Sequence, residues 1–597
     1  MLKKNLVAKR GMVMMIALSI ALTSVTGCGK SNTVATADYS TATESPATAP
    51  ESPAVDYSYV ESEPMAEAPA DAYEYTEQSS DSASASNNYA ESAKQSLGAT
   101  AEAATKYGGG YYDSYNNYGY SDYNHNNEEY HKEEENGFSI VSVEPLSTFS
   151  ADVDTASYAN VRRMIMDGYS LDMIDPDAVR PEEFINYFSY DLKAPRKGEK
   201  FGLSAEVAEC PWNEDHSLMM VGMTTKPIER DESKPTNLVF LIDVSGSMFG
   251  DDKLGLLQKS FCELVDELNE NDRVSVVTYA SGVRTVLESA TGDQKRKIKK
   301  AINGLEAGGS TNGEGGLKMA YELAEDNFID EGNNRVILAT DGDLNVGISS
   351  EEELKKFIEK KRKSGIYLSV LGFGSGNLKD NKMETLADYG NGNYNYIDSL
   401  MEAKKVLVEE MSSTLETVAD DVKLQVEFNP AYVNSYRLIG YENRMLKAAD
   451  FNNDKKDAGE IGAGHSVIAL YEIIWADDEG AINLKYGNKG KNKSTDLFDG
   501  EYATLSVRYK EPGESKSDLV SVVIDEDDYT DRPSDDFIFA SSVAEFAQIL
   551  ADSDNKGDAT LADVKRSIKK LDLDDDEYKE EFAYLVQTLI EDERHSF

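Results

Sequence analysis

The chain has 597 residues, which is too many for one ordinary domain, so several structural units are expected. Its 60 basic and 109 acidic residues leave a formal net charge of -49, and because no local basic stripe offsets the repulsion between like charges, nucleic acid is excluded as an expected partner. The three cysteines are too few for a disulfide framework or a zinc cluster, so packed cores must supply the stability.

The first 28 residues carry a targeting pattern. Basic residues within the first ten positions precede an apolar run from Met12 to Leu22, and small residues then lead to Cys28. The pattern predicts a secretory signal at residues 1–27, since the apolar run is shorter than the roughly 20 residues that a membrane-spanning helix needs. The small residues before the cysteine resemble the lipobox of bacterial lipoproteins, which implies lipidation of Cys28 and an extracytoplasmic protein anchored to the cell membrane or envelope. A soluble secreted protein is the alternative.

Residues 28–144 are predicted to form a disordered, acidic tether. This stretch is dominated by Ser, Thr, Ala, Glu, Asn, Asp and Tyr, and up to about Glu135 it has almost no Ile, Leu, Val or Phe to build a core. Random-coil scaling gives about 110 residues a root-mean-square reach of roughly 60 Å. The tether would therefore hold the rest of the protein away from the membrane.

Three ordered regions are predicted after the tether. Residues 145–232 show two helical patterns and two strand-like stretches, Leu203–Val207 and Leu218–Met223. Residues 233–415 alternate amphipathic helices with apolar strands at Leu238–Ile242, Val274–Tyr279, Val336–Ala339 and Tyr367–Leu371. Continuous apolar strands separated by helices predict an α/β fold with a mainly parallel sheet that is covered on both faces.

Residues 416–597 change to a period of two. Val422–Phe428 alternates apolar and polar residues, further strands are expected at Val467–Ile473, Ala503–Tyr509 and Leu519–Ile524, and helices close the chain. We expect the β segments on either side of the α/β unit to pair with each other. The α/β unit would then be inserted in, or flanked by, a β-rich support domain with C-terminal helices.

Hydroxyl and carboxylate side chains lie at the ends of two strands of the predicted parallel sheet, and one more hydroxyl lies in a turn between those strands. Asp243, Ser245 and Ser247 end the first strand, Thr311 lies in a glycine-rich turn before a helix, and Asp341 follows the third strand. In an open α/β sheet, ligands bind outside the carboxyl ends of the strands. We therefore expect these oxygens to meet at one edge of the sheet.

These five residues resemble the metal-ion-dependent adhesion site of the von Willebrand factor type A (VWA) family, whose pattern is Asp-x-Ser-x-Ser with a Thr and an Asp on later loops. The resemblance implies a doubly wound, Rossmann-like sheet, and it implies that Asp243, Ser245, Ser247, Thr311 and Asp341 surround one divalent metal, directly or through water. Flanking sequence from about residue 145 to 590 looks like that of bacterial envelope lipoproteins with an N-terminal VWA-associated region and a C-terminal domain of unknown function.

A few oxygen ligands fit Mg²⁺, or Mn²⁺, better than Ca²⁺, which takes about six to eight oxygens. An ion with two carboxylate ligands can keep an open position for an acidic side chain of a partner protein. The alternative is that Asp243 and the serines only cap the following helix. Asp343 is either a hydrogen-bonding neighbour of the site or a solvated turn residue.

The expected function is adhesion or complex assembly at the cell envelope, with a protein partner held through the metal and the membrane reached through the lipid. No catalytic residues are assigned, because the five histidines are scattered and no general base accompanies the metal motif. Two alternatives stay open: a metal-assisted hydrolase, and a structural envelope protein in which the metal only stabilises the fold.

Overall fold

The computed structural model describes residues 128–151, 153–228, 234–342, 351–410, 416–456, 458–476 and 498–595. The predicted signal, Cys28, most of the predicted tether and Asp343 lie outside the described residues. None of the helices in the described ranges is long and apolar enough to cross a membrane. We call residues 234–410 the α/β domain, and the described residues before and after it the support domain.

The part of the support domain that precedes the α/β domain contains strands and two α-helices. These elements are β1 (Ser139–Ile140), β2 (Leu146–Ser150), α1 (Ala156–Met166), α2 (Pro181–Ile185), β3 (Phe201–Glu209) and β4 (Ser217–Thr225). Pro181 begins α2 at the helical position where the missing amide hydrogen costs nothing.

Strands and helices alternate through the α/β domain. In chain order they are β5 (Thr236–Asp243), α3 (Leu254–Glu267), β6 (Arg273–Tyr279), β7 (Val283–Thr291), α4 (Lys295–Asn303), α5 (Gly313–Asp326), β8 (Asn333–Thr340), α6 (Glu351–Arg362), β9 (Ile366–Phe373), α7 (Asp380–Tyr389), β10 (Tyr394–Ile397) and α8 (Leu400–Lys404). They form one sheet in the order β10-β9-β8-β5-β6-β7, in which only the pairing of β7 with β6 is antiparallel.

Helices cover both faces of this sheet. Apolar side chains of α3, α4 and α8 pack on one face, and those of α5, α6 and α7 pack on the other. Every residue of the central strand β5 is buried, which explains its continuous apolar sequence. The doubly wound α/β fold is therefore confirmed.

The support domain continues after the α/β domain with more strands and three α-helices. They are β11 (Thr417–Phe428), β12 (Val433–Leu438), β13 (Ile461–Gly462), β14 (Ser466–Trp475), β15 (Glu501–Lys510), β16 (Ser517–Asp525), α9 (Asp535–Leu550), α10 (Leu561–Ile568) and α11 (Glu577–His595). One antiparallel sheet has the order β1-β12-β14-β4-β3, and a second has the order β13-β11-β15-β16 with β2 also paired to β11.

Strands from before and after the α/β domain pair within both sheets of the support domain. β4 pairs with β14, β1 with β12, and β2 with β11. The predicted insertion of the α/β unit into a β-rich support is therefore observed. Apolar residues on the inner faces of the two sheets share one core, and the outer face of β4 and β14 packs against the helices. These two strands are consequently apolar on both sides.

Residues 128–144 correct the predicted extent of the tether, because they belong to the folded support domain. Ser139 and Ile140 pair with Tyr436 and Ser435 of β12, and the side chain of Val141 is buried. Acidic residues that suggested disorder make ion pairs in this segment, for example Glu128 with Arg163 at 3.0 Å. Composition alone could not foresee these partners, since they lie far away in the sequence.

A buried arginine connects the α/β domain to the support domain. Arg162 of α1 contacts three carboxylates: Asp398 at 2.5 Å and Glu402 at 2.8 Å in the α/β domain, and Glu581 of α11 at 2.9 Å. Its guanidinium also donates a hydrogen bond to the Tyr187 hydroxyl at 2.7 Å. Since Arg162 is buried, the loss of its charge would leave these carboxylates without their shared counter-ion.

Candidate metal centre

The candidate site lies where the chain reverses its order across the parallel sheet. β5 and β8 are adjacent and parallel, with Ile242 opposite Ala339, so Asp243 and Asp341 emerge at the same edge. The chain leaves β5 towards β6 and leaves β8 towards β9, on the opposite side. Such a switch point forms a crevice outside the carboxyl ends of the strands, which is where open α/β sheets bind ligands.

Hydrogen bonds link four of the five predicted residues. Asp243 accepts a hydrogen bond from the amide of Ser245 at 2.8 Å and another from the Thr340 hydroxyl at 3.2 Å. The Ser245 and Ser247 hydroxyl oxygens are 2.9 Å apart, and the Ser247 hydroxyl donates to Asp341 at 3.2 Å. The two buried carboxylates are therefore joined by one short chain of hydrogen bonds that runs through the Ser245 amide and the two serine hydroxyls.

Thr311 lies on a loop that packs against the same turn. The amide of Gly246 donates to the Gly309 carbonyl at 3.0 Å, two residues before Thr311. Gly309 has φ +94°, and a Cβ at this position would lie 2.6 Å from the Ser281 hydroxyl, so glycine is required for the close approach. Among the described residues, the half-buried Thr311 side chain makes no hydrogen bond to the other four.

The helix-capping alternative does not account for the two serines. The next α-helix, α3, begins at Leu254, and its N-cap Lys253 makes no side-chain capping hydrogen bond. Ser245 precedes a single 3₁₀ turn, Gly246–Met248, again without a side-chain capping hydrogen bond. The serine hydroxyls bond instead to each other and to Asp341.

The site concentrates negative charge in a buried position. Asp243 and Asp341 are both 0% exposed. Burial raises the pKa of Asp243 to about 6; hydrogen bonds from Ser245 oppose this rise, and the charge of Asp341 adds to it. A carboxylate pair of this kind is stabilised by an added cation.

One lysine that the sequence analysis did not single out also belongs to the site. The Lys253 ammonium lies 3.0 Å from a carboxylate oxygen of Asp341, and only 14% of the Lys253 side chain is exposed. Its stem passes over Gly374, where a Cβ would lie 2.5 Å from the lysine Cε. Gly374 directly follows β9. It is the residue that could have pointed to the position of Lys253, and it lies more than 100 residues from Lys253 in the sequence.

The donor set fits a hard divalent cation. Two carboxylates and two hydroxyls converge at the edge of the sheet, and one lysine charge does not neutralise both acids. Within the described ranges no group of three or more His, Cys, Asp or Glu side chains could hold a metal, so binding here would depend on the hydroxyl oxygens as well. Oxygen ligands of this type suit Mg²⁺ or Mn²⁺.

The doubly wound fold of the α/β domain is that of von Willebrand factor type A (VWA) domain proteins. A family model described as von Willebrand factor type A domain matches residues 237–410. A model described as von Willebrand factor matches residues 124–220, and a third, described as the C-terminal domain of the uncharacterized protein YfbK, matches residues 413–591. The predicted resemblance to VWA proteins is thus confirmed, while lipidation stays a prediction.

The chain belongs to the family of YfbK. It is 42% identical to the uncharacterized protein YfbK of Escherichia coli K12 over 467 residues, which cover 77% of this chain and 80% of that protein. It is also 31% identical to human inter-alpha-trypsin inhibitor heavy chain H3 over 273 residues, 42% of this chain and 30% of that protein. A solved VWA structure from Catenulispora acidiphila covers 64% of this chain and 88% of its own, with 16% identity and a TM-score of 0.35.

Proposed function

We propose that this protein binds a partner protein through one divalent cation held by Asp243, Ser245, Ser247, Thr311 and Asp341. The proposal is carried by two fully buried carboxylates at the switch point of the sheet, which are linked through the Ser245 amide and the hydroxyls of Ser245 and Ser247. Mg²⁺ is the proposed ion, with Mn²⁺ and Ca²⁺ as alternatives. The proposed role is adhesion or complex assembly rather than catalysis.

The bound cation would supply a Lewis-acid position for a carboxylate of the partner. Ser247 and Thr311 are half-buried, so a ligand can approach the site from their side. Phe249, two residues after Ser247, is 84% exposed, whereas the neighbouring Met248 is fully buried. A large exposed aromatic side chain at the rim of a site is typical of residues that contact a partner, and we assign that role to Phe249.

We further propose that acylation of Cys28 holds the protein at the bacterial cell membrane or envelope. The support is the sequence pattern alone: basic residues, an apolar run and small residues before a cysteine. Mass spectrometry of the mature N-terminus tests it. A diacylated Cys28 is expected, together with release of the Cys28→Ser variant into the soluble fraction; an unmodified N-terminus would contradict this part of the proposal.

Crosslinking on whole cells, followed by mass spectrometry, tests partner binding. We expect crosslinked partners to disappear with EDTA, to return with Mg²⁺, and to be absent in the Asp243→Ala variant. Asp272→Asn is a matched control, because Asp272 is equally buried but accepts its hydrogen bonds from the backbone amides of Thr236 and Asn269, at the opposite end of the strands. Undiminished crosslinking in Asp243→Ala would refute the mechanism.

The two alternative functions predict different results for the same protein and its variants. Turnover of a phosphoester or peptide library that is lost in Asp341→Ala would favour a metal-assisted hydrolase. A higher melting temperature with Mg²⁺, without any captured partner, would favour a purely stabilising metal. Both results would replace the binding role that we propose.

A further inference from the structure

Lys253 makes the one charged contact with Asp341 that the structure gives within the described residues. Both carboxylate oxygens of Asp341 have a partner. One accepts a hydrogen bond from the Ser247 hydroxyl at 3.2 Å, and the other lies 3.0 Å from the Lys253 ammonium. A hydroxyl and an ammonium thus contact the two oxygens through which Asp341 could bind a cation.

The fold prepares the path of the Lys253 side chain. Lys253 immediately precedes α3, and its side chain crosses to the end of β9, where Gly374 has φ +73° and no side chain. A Cβ at position 374 would collide with the lysine stem. Only 14% of the lysine side chain is exposed, so the ion pair between Lys253 and Asp341 is largely buried. Solvent screens it less than it screens an ion pair on the surface.

Two cations cannot share this space without a large electrostatic cost. An ammonium and a divalent ion a few ångströms apart repel strongly, and a partly buried site screens that repulsion less than bulk water does. We propose that Lys253 is a tethered counter-ion: it neutralises Asp341 when no divalent cation is bound, and it must leave Asp341 when one binds. This inference rests on the proposed metal-binding function and adds to it a residue that sets the metal affinity.

Calorimetric titration of the purified full-length protein with Mg²⁺ and with Mn²⁺ tests the competition. Lys253→Met keeps the length of the stem but removes the charge, so we expect its dissociation constant to fall at least tenfold, equivalent to about 1.4 kcal/mol. Lys361→Met is the matched control, because Lys361 is also 14% exposed and lies 2.7 Å from Glu325, away from the site. Its affinity should match that of the wild type.

The possible results are distinguishable. If the wild type binds metal and Lys253→Met binds it no more tightly, the counter-ion role is refuted while the metal site survives; weaker binding would make Lys253 a positioning residue for Asp341 instead. If neither protein binds metal, the proposed function fails as well. Tight binding by Lys253→Met alone would support the inference most strongly.

A second measurement does not depend on any variant. Acetylation of lysines with a limiting amine-reactive reagent, quantified by mass spectrometry, reports how accessible each ammonium is. We expect Mg²⁺ to increase the modification of Lys253 several-fold and to leave Lys361 unchanged. Equal modification of Lys253 with and without Mg²⁺ would show that the lysine stays on Asp341, and would overturn the proposal.

Discussion

Replacing Asp243 by asparagine separates the role of its charge from the role of its shape. The side chain is fully buried, and burial is the main reason why its pKa rises from 3.8 to about 6. An asparagine oxygen can still accept the hydrogen bond from the Ser245 amide, and its NH₂ group can donate to the Thr340 hydroxyl. Asp243→Asn therefore removes a buried charge with little change in packing.

The effect on stability follows from the difference between the two pKa values. Because the pKa of Asp243 is higher in the folded than in the unfolded state, the folded protein binds the proton more tightly, and protonation stabilises it. This stabilisation is fully present below pH 3.8 and is lost as the pH rises to about 6. The difference corresponds to about 3 kcal/mol. In the absence of metal, Asp243→Asn should thus be more stable than the wild type by about 3 kcal/mol at pH 7.5, and by about half as much at pH 5.

Urea unfolding in EDTA, followed by circular dichroism, measures this difference. Saturating Mg²⁺ should then stabilise the wild type in proportion to the logarithm of the metal concentration, and should leave Asp243→Asn unchanged. Asp272→Asn should respond to Mg²⁺ as the wild type does. A lower stability of Asp243→Asn than of the wild type in EDTA, or equal stabilisation of both proteins by Mg²⁺, would refute this role of Asp243.

Single substitutions also test Asp341, the exposed Phe249 and the buried Arg162. Asp341→Ala should show no heat of Mg²⁺ binding in calorimetry while its circular dichroism spectrum stays that of the wild type; a retained heat would contradict the site. Phe249→Ala should reduce partner crosslinking on cells about tenfold at unchanged Mg²⁺ affinity, whereas Phe328→Ala, 41% exposed on the same domain, should have no effect. Arg162→Met should lower the free energy of unfolding by about 3–5 kcal/mol, because it leaves buried carboxylates unpaired. Lys318→Met, which removes an exposed pair with Glu314, should cost under about 1 kcal/mol, and equal losses in these two variants would refute the role of Arg162.

The α/β core was predictable because its strands are buried on both faces. Such strands leave a continuous apolar run, as in β5, β8 and β9, and the helices between them leave an apolar stripe. β7 left no such signal, because it lies at the edge of the sheet and is mostly half-exposed or exposed. β10, with four residues, was too short to show a period.

The start of the folded region was harder to locate than its centre. The segment from residue 128 to 144 is held by ion pairs and by a strand of only two residues, so its composition resembles that of a tether. Pairing of the flanking strands was predictable in general terms, since neither set of strands could cover its apolar face alone. Which strand pairs with which depends on side-chain packing between distant segments and could not be read from the sequence.

Part of the candidate site was predictable from the sequence, and part was not. The carboxylates and serines follow directly from strand ends, and parallel strands place their ends at one edge, so their convergence was predictable. Lys253 was not, because its contact with Asp341 depends on the course of a flexible side chain past Gly374. Thr311 falls between these cases. Its loop contacts the site through the hydrogen bond between the Gly246 amide and the Gly309 carbonyl, but its hydroxyl stays a predicted ligand.

Anomalous X-ray scattering from crystals grown with Mn²⁺ would locate the bound cation and identify the residues that hold it. We expect a single manganese peak at the carboxyl ends of β5 and β8, roughly 2 Å from the Ser245 and Ser247 hydroxyl oxygens, with the Lys253 ammonium moved away from Asp341. Crystals that bind manganese only elsewhere, or that show no peak beside these serines at saturating Mn²⁺, would contradict the proposed metal site.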